Sequence, residues 1–160
     1  ISLAERRTET YKHNCKIIKT STPTIKGVSK IEKAYMRGTQ EEWHTECPHC
    51  KQYSFIRFDD VKFDYEKIKG DDGEPDYIVK NARWRCPICQ RETPEYDVKR
   101  CPARWVAKNE RALENGVRSF RLSAFMSPWS DWRKIARSFL VSNGSRFFIT
   151  RCWAKAGKRR

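Results

Sequence analysis

The feature that most constrains this chain is a pair of matched C-P-x-C turns, Cys47-Pro48-His49-Cys50 and Cys86-Pro87-Ile88-Cys89, with 35 residues between them. Each turn brings two sulfurs to one side of a tight loop, and two such turns supply four thiolates, a complete tetrahedral shell for a soft divalent ion. The spacing therefore predicts a structural Zn²⁺ held by Cys47, Cys50, Cys86 and Cys89, with no position left over for water or substrate. Two disulfides, or a thioredoxin-like redox pair, are the competing readings. His49 lies inside the first turn, but four sulfurs are already present, and a solvated turn residue is its expected role. The total of seven cysteines is odd and fits a reducing compartment. Cys15, Cys101 and Cys152 are expected to be incidental thiols.

A metal staple suits the composition. At 160 residues, with 38% hydrophobic and 34% charged content, the chain supports only a modest core. No apolar run approaches bilayer-spanning length, so no membrane partner is expected. The N-terminus, from Ile1 to Arg7, has no signal-peptide character and no initiator Met, as in a chain entered in mid-protein. The net charge of +14 is uneven. Residues 1–46 carry 9 basic and 6 acidic side chains, residues 47–100 carry 11 of each, and residues 101–160 carry 14 and 3. A polyanionic partner follows from the total, and its contacts belong to the last third, not to the cysteine segment.

Local signals organise the rest. Residues 5–13 are polar and read as a frayed helix. Cys15 to Ser21 is a short β-branched run read as a strand, ended by Ser21-Thr22-Pro23-Thr24. Ser29 to Glu32 reads as a capping box opening a helix over Lys30–Arg37, which Gly38 ends. Glu42–Glu46 and Gln52–Phe58 read as strands into and out of the first cysteine turn. Asp76–Lys80 and Ala82–Arg85 bring the chain to the second, making a zinc ribbon with a long insertion. Asp59, Asp60, Asp64 and Glu66 are expected in a solvated loop. Residues 94–116 read as turns and helical fragments around Arg104-Trp105-Val106. Gly116–Phe125 reads as a strand with Phe120, Leu122 and Ala124 on one face. After Ser127-Pro128-Trp129, Ser130 caps a helix carrying Trp132, Ile135, Ala136, Phe139 and Leu140 at helical spacing. The tryptophans here are expected in the core. No G-x-x-x-x-G-K-[ST], H-E-x-x-H or G-x-S-x-G motif occurs, so the chain carries no complete active site.

The order Ser21-Thr22-Pro23-Thr24-Ile25-Lys26-Gly27, Ile31-Glu32-Lys33, Cys47-Pro48-His49-Cys50, Cys86-x-x-Cys89, Ser127-Pro128-Trp129 resembles the large subunit of lambda-type (GpA-like) phage terminases, over residues 15–148. That resemblance implies a motor that packages double-stranded DNA in the bacterial cytoplasm, with the small terminase subunit and the capsid portal as partners. It implies a coupling motif at Ser21, Thr22, Pro23 and Thr24. Nucleic-acid contacts are expected at the cations Lys26, Arg133, Lys134 and Arg137. ATP and Mg²⁺ would belong to the full-length protein, because the family's nucleotide-binding and nuclease residues lie upstream and downstream of these motifs.

The fold class expected is α+β: the end of an α/β ATPase sheet over 1–42, a zinc-ribbon-like β insertion over 43–92, and a strand-helix segment over 93–148. Residues 149–160 form a basic tail where the family carries Asn-Thr-x-Leu-Gly-Glu-x-Trp-Glu. A shifted reading frame reconciles the two, since Cys152-Trp153 then spells Leu and Trp153-Ala154 spells Gly. A frameshift near Phe148 is one reading of the tail and a genuine basic end is the other. A free-standing zinc-ribbon module that binds nucleic acid, and a zinc-stapled protein-interaction domain, are the alternatives to a motor fragment.

Overall fold

The computed structural model describes residues 16–21, 29–70 and 73–142. The expectations for the segment 5–13, for Cys15, Thr22, Pro23, Thr24, Lys26 and Cys152, and for the tail at 149–160 fall outside those residues. The described chain is a mixed α+β structure with two small sheets and few helices. Lys16–Ser21 forms no regular element and pairs with no strand among the described residues, and Ile17 and Ile18 stand exposed, so the strand expected there is not formed. A strand exists only through a partner's ladder, and none of the described residues offers one to this run.

Helix α1, Lys30–Arg37, has the predicted bounds, with Gly38 as its C-cap. Ser29 is the N-cap by position, but its side chain makes no capping hydrogen bond, so the capping box is not realised. Strand β1, Glu41–Glu46, is the centre of the first sheet. It pairs antiparallel with β2, Tyr53–Phe55, through residues 44–46 and with β6, Ala103–Val106, through residues 42–45. Strand β7, Phe120–Arg121, lies parallel to Glu41 and Glu42. Arg104-Trp105-Val106, expected in a helical or turn region, is therefore a strand. The strand expected over Gly116–Phe125 shrinks to two residues, with Phe120 and Leu122 exposed.

The second sheet is a long hairpin, β3 Val61–Lys69 against β4 Pro75–Arg85, with β5 Glu92–Pro94 on its far edge. Asp64 and Glu66 thus sit on a strand rather than in a loop. Their cross-strand partners compensate them: Glu66 accepts from Lys80 at 2.8 Å, and Asp64 accepts from Asn81 at 3.1 Å. Asp59 and Asp60 lie in a 3-10 turn, Phe58–Asp60, where the expected β2 extension ends. β4 joins the two short strands predicted for it, with Asn81 at φ 51° opposite the register shift between Lys62 and Asp64.

Helix α2, Glu95–Arg100, leads into β6. Helix α3, Trp132–Val141, begins one residue later than expected, because Asp131 is its N-cap and accepts from the Arg133 amide at 2.8 Å. Its helical stripe is borne out, with Trp132 and Ala136 fully buried. One core joins the sheets and helices: Cys47, Ile56, Val61, Trp84, Cys86, Val98, Phe125 and Trp132. Trp132 Nε1 donates to the Phe125 carbonyl at 2.7 Å, which satisfies its one polar atom in that apolar setting. Trp129 departs from expectation. It is 92% exposed on the turn before α3.

Candidate metal centre

Each cysteine turn is the tip of a β-hairpin, β1–β2 for the first and β4–β5 for the second, so the two lie in different sheets rather than on one ribbon sheet. The tips are built alike. The Lys51 amide donates to the Cys47 carbonyl and the Gln90 amide to the Cys86 carbonyl, both at 2.9 Å. Cys47 N donates to Gln52 O and Cys86 N to Arg91 O, again at 2.9 Å. The residue after each second cysteine turns left-handed, Lys51 at φ 59° and Gln90 at φ 61°. Such a conformation in a non-glycine residue costs about 1 kcal/mol or more. Its recurrence at the matching position marks a turn shaped by what the sulfurs must reach. Pro48 and Pro87 preset φ where no amide donor is needed.

The two tips meet sulfur to sulfur. Cys47 Sγ lies 3.7 Å from Cys89 Sγ, Cys50 Sγ lies 3.8 Å from Cys86 Sγ, and all four sulfurs fall within 4.8 Å of one another. A tetrahedron with Zn–S bonds of about 2.3 Å has sulfur separations of roughly 3.8 Å, so the cluster fits a tetrahedral ion. A disulfide would need about 2.05 Å, so the two-disulfide reading is set aside. Cys47 and Cys86 are buried in the core and Cys50 and Cys89 are half-buried, so one side of the cluster is set into the core and the other lies at the turn tips.

The electrostatics favour a cation. Burial pushes the Cys86 thiol up to about 12 and raises that of Cys47, even though backbone amides of Cys50 and His49 point at the Cys47 sulfur. The Arg91 amide draws the Cys89 thiol down to about 7. Four sulfurs this close cannot all ionise without a counter-charge, and a divalent ion supplies it. His49 is exposed and lies outside the cluster, as expected. Cys101 donates to the Asp97 carbonyl at 3.2 Å and takes no part.

Comparison with known proteins decides the family. The chain matches the model of the phage terminase large subunit gpA ATPase domain over residues 1–105. This chain belongs to the phage terminase gpA family. No curated protein and no solved structure matches it. In this gpA-family chain the matched region contains the Ser21–Thr24 segment, α1 and both cysteine turns. The Ser127-Pro128-Trp129 turn and α3 lie beyond it.

The remaining site residues are placed less tightly. Ser21 is exposed. Arg133 pairs with Asp131 at 3.1 Å. Arg137 grips Asp76 through both carboxylate oxygens, joining α3 to the hairpin. Lys134 is exposed on the same helix. Two of the three α3 cations predicted to meet DNA are thus already engaged by carboxylates.

Sequence reasoning missed a buried charge network on β1. Glu41 and Glu42 are 4% and 3% exposed. Arg118 binds Glu41 at 2.9 and 2.8 Å, while Arg121 and Lys108 bind Glu42 at 3.0 and 2.6 Å. The partners lie more than 60 residues away, so no local pattern announces them. No helix among the described residues is long and apolar enough to cross a membrane.

Proposed function

We propose that this chain is the central part of a gpA-type DNA-packaging terminase large subunit. In this reading residues 1–42 end the ATPase sheet, 43–92 form a zinc-ribbon-like insertion, and 93–148 run toward the nuclease. The 149–160 tail then follows, and the frameshift reading of it stands or falls on the gene sequence. Cys47, Cys50, Cys86 and Cys89 hold a structural Zn²⁺. Ser21, Thr22 and Thr24, with Pro23 shaping the turn, sense the nucleotide state established by ATP and Mg²⁺ elsewhere in the full protein. Duplex DNA is the substrate, the small subunit and portal are the packaging partners, and the host cytoplasm is the site of action. Lys26, Arg133, Lys134 and Arg137 are the proposed DNA contacts.

The observation that carries this reading is the coincidence of the family match with a four-sulfur cluster at tetrahedral spacing inside the matched region. When bound, the ion cross-links two hairpins whose own core is small, and structural zinc contributes about 10–16 kcal/mol of apparent free energy in small modules. Cys86→Ser should lose the metal and melt the knuckle hairpins, whereas Cys101→Ser should keep both. Equal zinc content in the two variants overturns the assignment. The coupling role has a separate test. In a full-length relative, Thr22→Ala should slow DNA translocation more than it weakens nucleotide binding, and an equal loss of both argues against coupling.

A further inference from the structure

Helix α1 has eight residues and buries none of them. A helix shorter than about 12 residues is not stable by itself in water, so its order depends on contacts with the rest of the fold, through the half-buried Ile31, Ala34 and Tyr35 and through its C-terminal end. The anchor at that end is Ser119, some eighty residues along the chain. Its hydroxyl donates to the Tyr35 carbonyl in the last turn of α1 and accepts from the Gln40 amide, both at 2.8 Å. Its amide donates to Thr39 Oγ1 at 3.0 Å, and its carbonyl accepts from the Glu41 amide at 2.8 Å. Thr39 is fully buried, and its hydroxyl donates to Glu41 Oε1 at 2.7 Å. Arg118, beside Ser119, closes the ring on Glu41 with two bonds. A Cβ at Gly38 would meet Ser119 Oγ at 2.5 Å and Ser119 Cβ at 2.6 Å, so residue 38 must be glycine for this contact to form.

The strand entered from this link is β1, whose far end delivers Cys47. One six-residue strand, about 20 Å long at 3.3 Å per residue, has α1 latched at one end and the sulfur cluster at the other. We propose that Ser119 is a positioning residue that latches α1 to the metal-bearing strand, so that metal occupancy sets the docking of α1. The metal orders β1, β1 presents Thr39 and Glu41 to Ser119 and Arg118, and that contact keeps α1 folded. Loss of either the ion or the latch releases α1.

Hydrogen exchange on the full chain, zinc-loaded and chelated, tests the latch. In the zinc-loaded protein Ser119→Ala should speed exchange at the Lys33–Gly38 amides about five- to tenfold, the effect of losing one hydroxyl's bonds. The Lys51 and Gln90 amides in the cysteine turns should stay as protected as in the parent, with one zinc still bound. Arg118→Gln, at a half-exposed side chain, should give the same pattern more weakly. Chelation of the parent should release α1 along with the turns. Unchanged α1 exchange in Ser119→Ala, parallel loosening of α1 and the cysteine turns in that variant, loss of its zinc, or an α1 that stays protected after chelation would each overturn the latch. None of these readings involves nucleotide, so failure of the coupling role leaves them unaffected.

Discussion

His44 shows how single residues on β1 are tuned by their surroundings. Burial holds its imidazole below the usual value, with Lys108 acting in the same direction and Glu42 opposing. Glu41 is also held low, chiefly by its hydrogen bonds from Arg118. Both groups bind protons more readily in the unfolded chain, so stability rises with pH through each window. The His44 contribution is complete above about pH 6.5 and declines as pH falls from there toward its folded value. The Glu41 contribution is complete above about pH 4.3 and is lost below it. The unfolding free energy of the zinc-loaded protein, and with it the melting temperature, should therefore begin to fall below about pH 6.5, the free energy by at most about 1.4 kcal/mol per pH unit for one proton. In His44→Gln that first decline should shrink while the lower one persists, as thermal melts across pH would record. Both proteins carry the same four thiols, so acid release of metal cancels in the comparison. None of this was legible beforehand. His44 reads as one more strand residue until the fold buries it and brings Lys108 beside it.

At the scale of elements, the contrast is between packing and surface pairing on α3. Trp132 is fully buried, meets Phe125 edge-on at a centroid distance of 5.7 Å and places its indole N–H on a carbonyl. Trp132→Ala should cost about 3–5 kcal/mol in denaturant unfolding, since it leaves a cavity in the core the two sheets share. Arg137 is half exposed, and its bidentate grip on Asp76 is open to solvent. A double-mutant cycle between Arg137 and Asp76 should return about 1 kcal/mol or less. Freed of Asp76, Arg137 would be more available to phosphate. The bounds of α1, and the start of α3 to within one residue, were readable because helix ends are written locally, in Gly38 and in the Ser130-Asp131 pair. The capping box at Ser29 was not, because a cap also needs a side-chain rotamer that sequence does not specify. Strand β3 was misread as a loop because its carboxylates alternate with lysines, whereas β4 was read as two short strands. On a strand they pair with Lys80 and Asn81 and need no burial.

For the whole molecule, the charge excess lies largely in residues 101–160, and five of its cations, Arg151, Lys155, Lys158, Arg159 and Arg160, stand in the tail. If the tail supplies phosphate contacts, ending the chain at Phe148 should flatten the log–log salt dependence of duplex binding by about 0.9 per contact, up to roughly four or five in slope. Binding measured over a range of salt checks this, and an unchanged slope assigns the contacts to the folded body. The sequence by itself determined the four-cysteine cluster, the family and the bounds of α1. These rest on short-range spacing: four sulfurs in two C-P-x-C turns, a motif order, and glycine at a helix end. Tertiary structure alone decided which strands β1 would pair with, that Ser119 would anchor α1, and that Trp129 would stand in solvent while Trp132 was buried. Those outcomes depend on contacts between residues up to some eighty positions apart, whose free energy comes from desolvation and hydrogen bonding across the fold, and no local pattern records them.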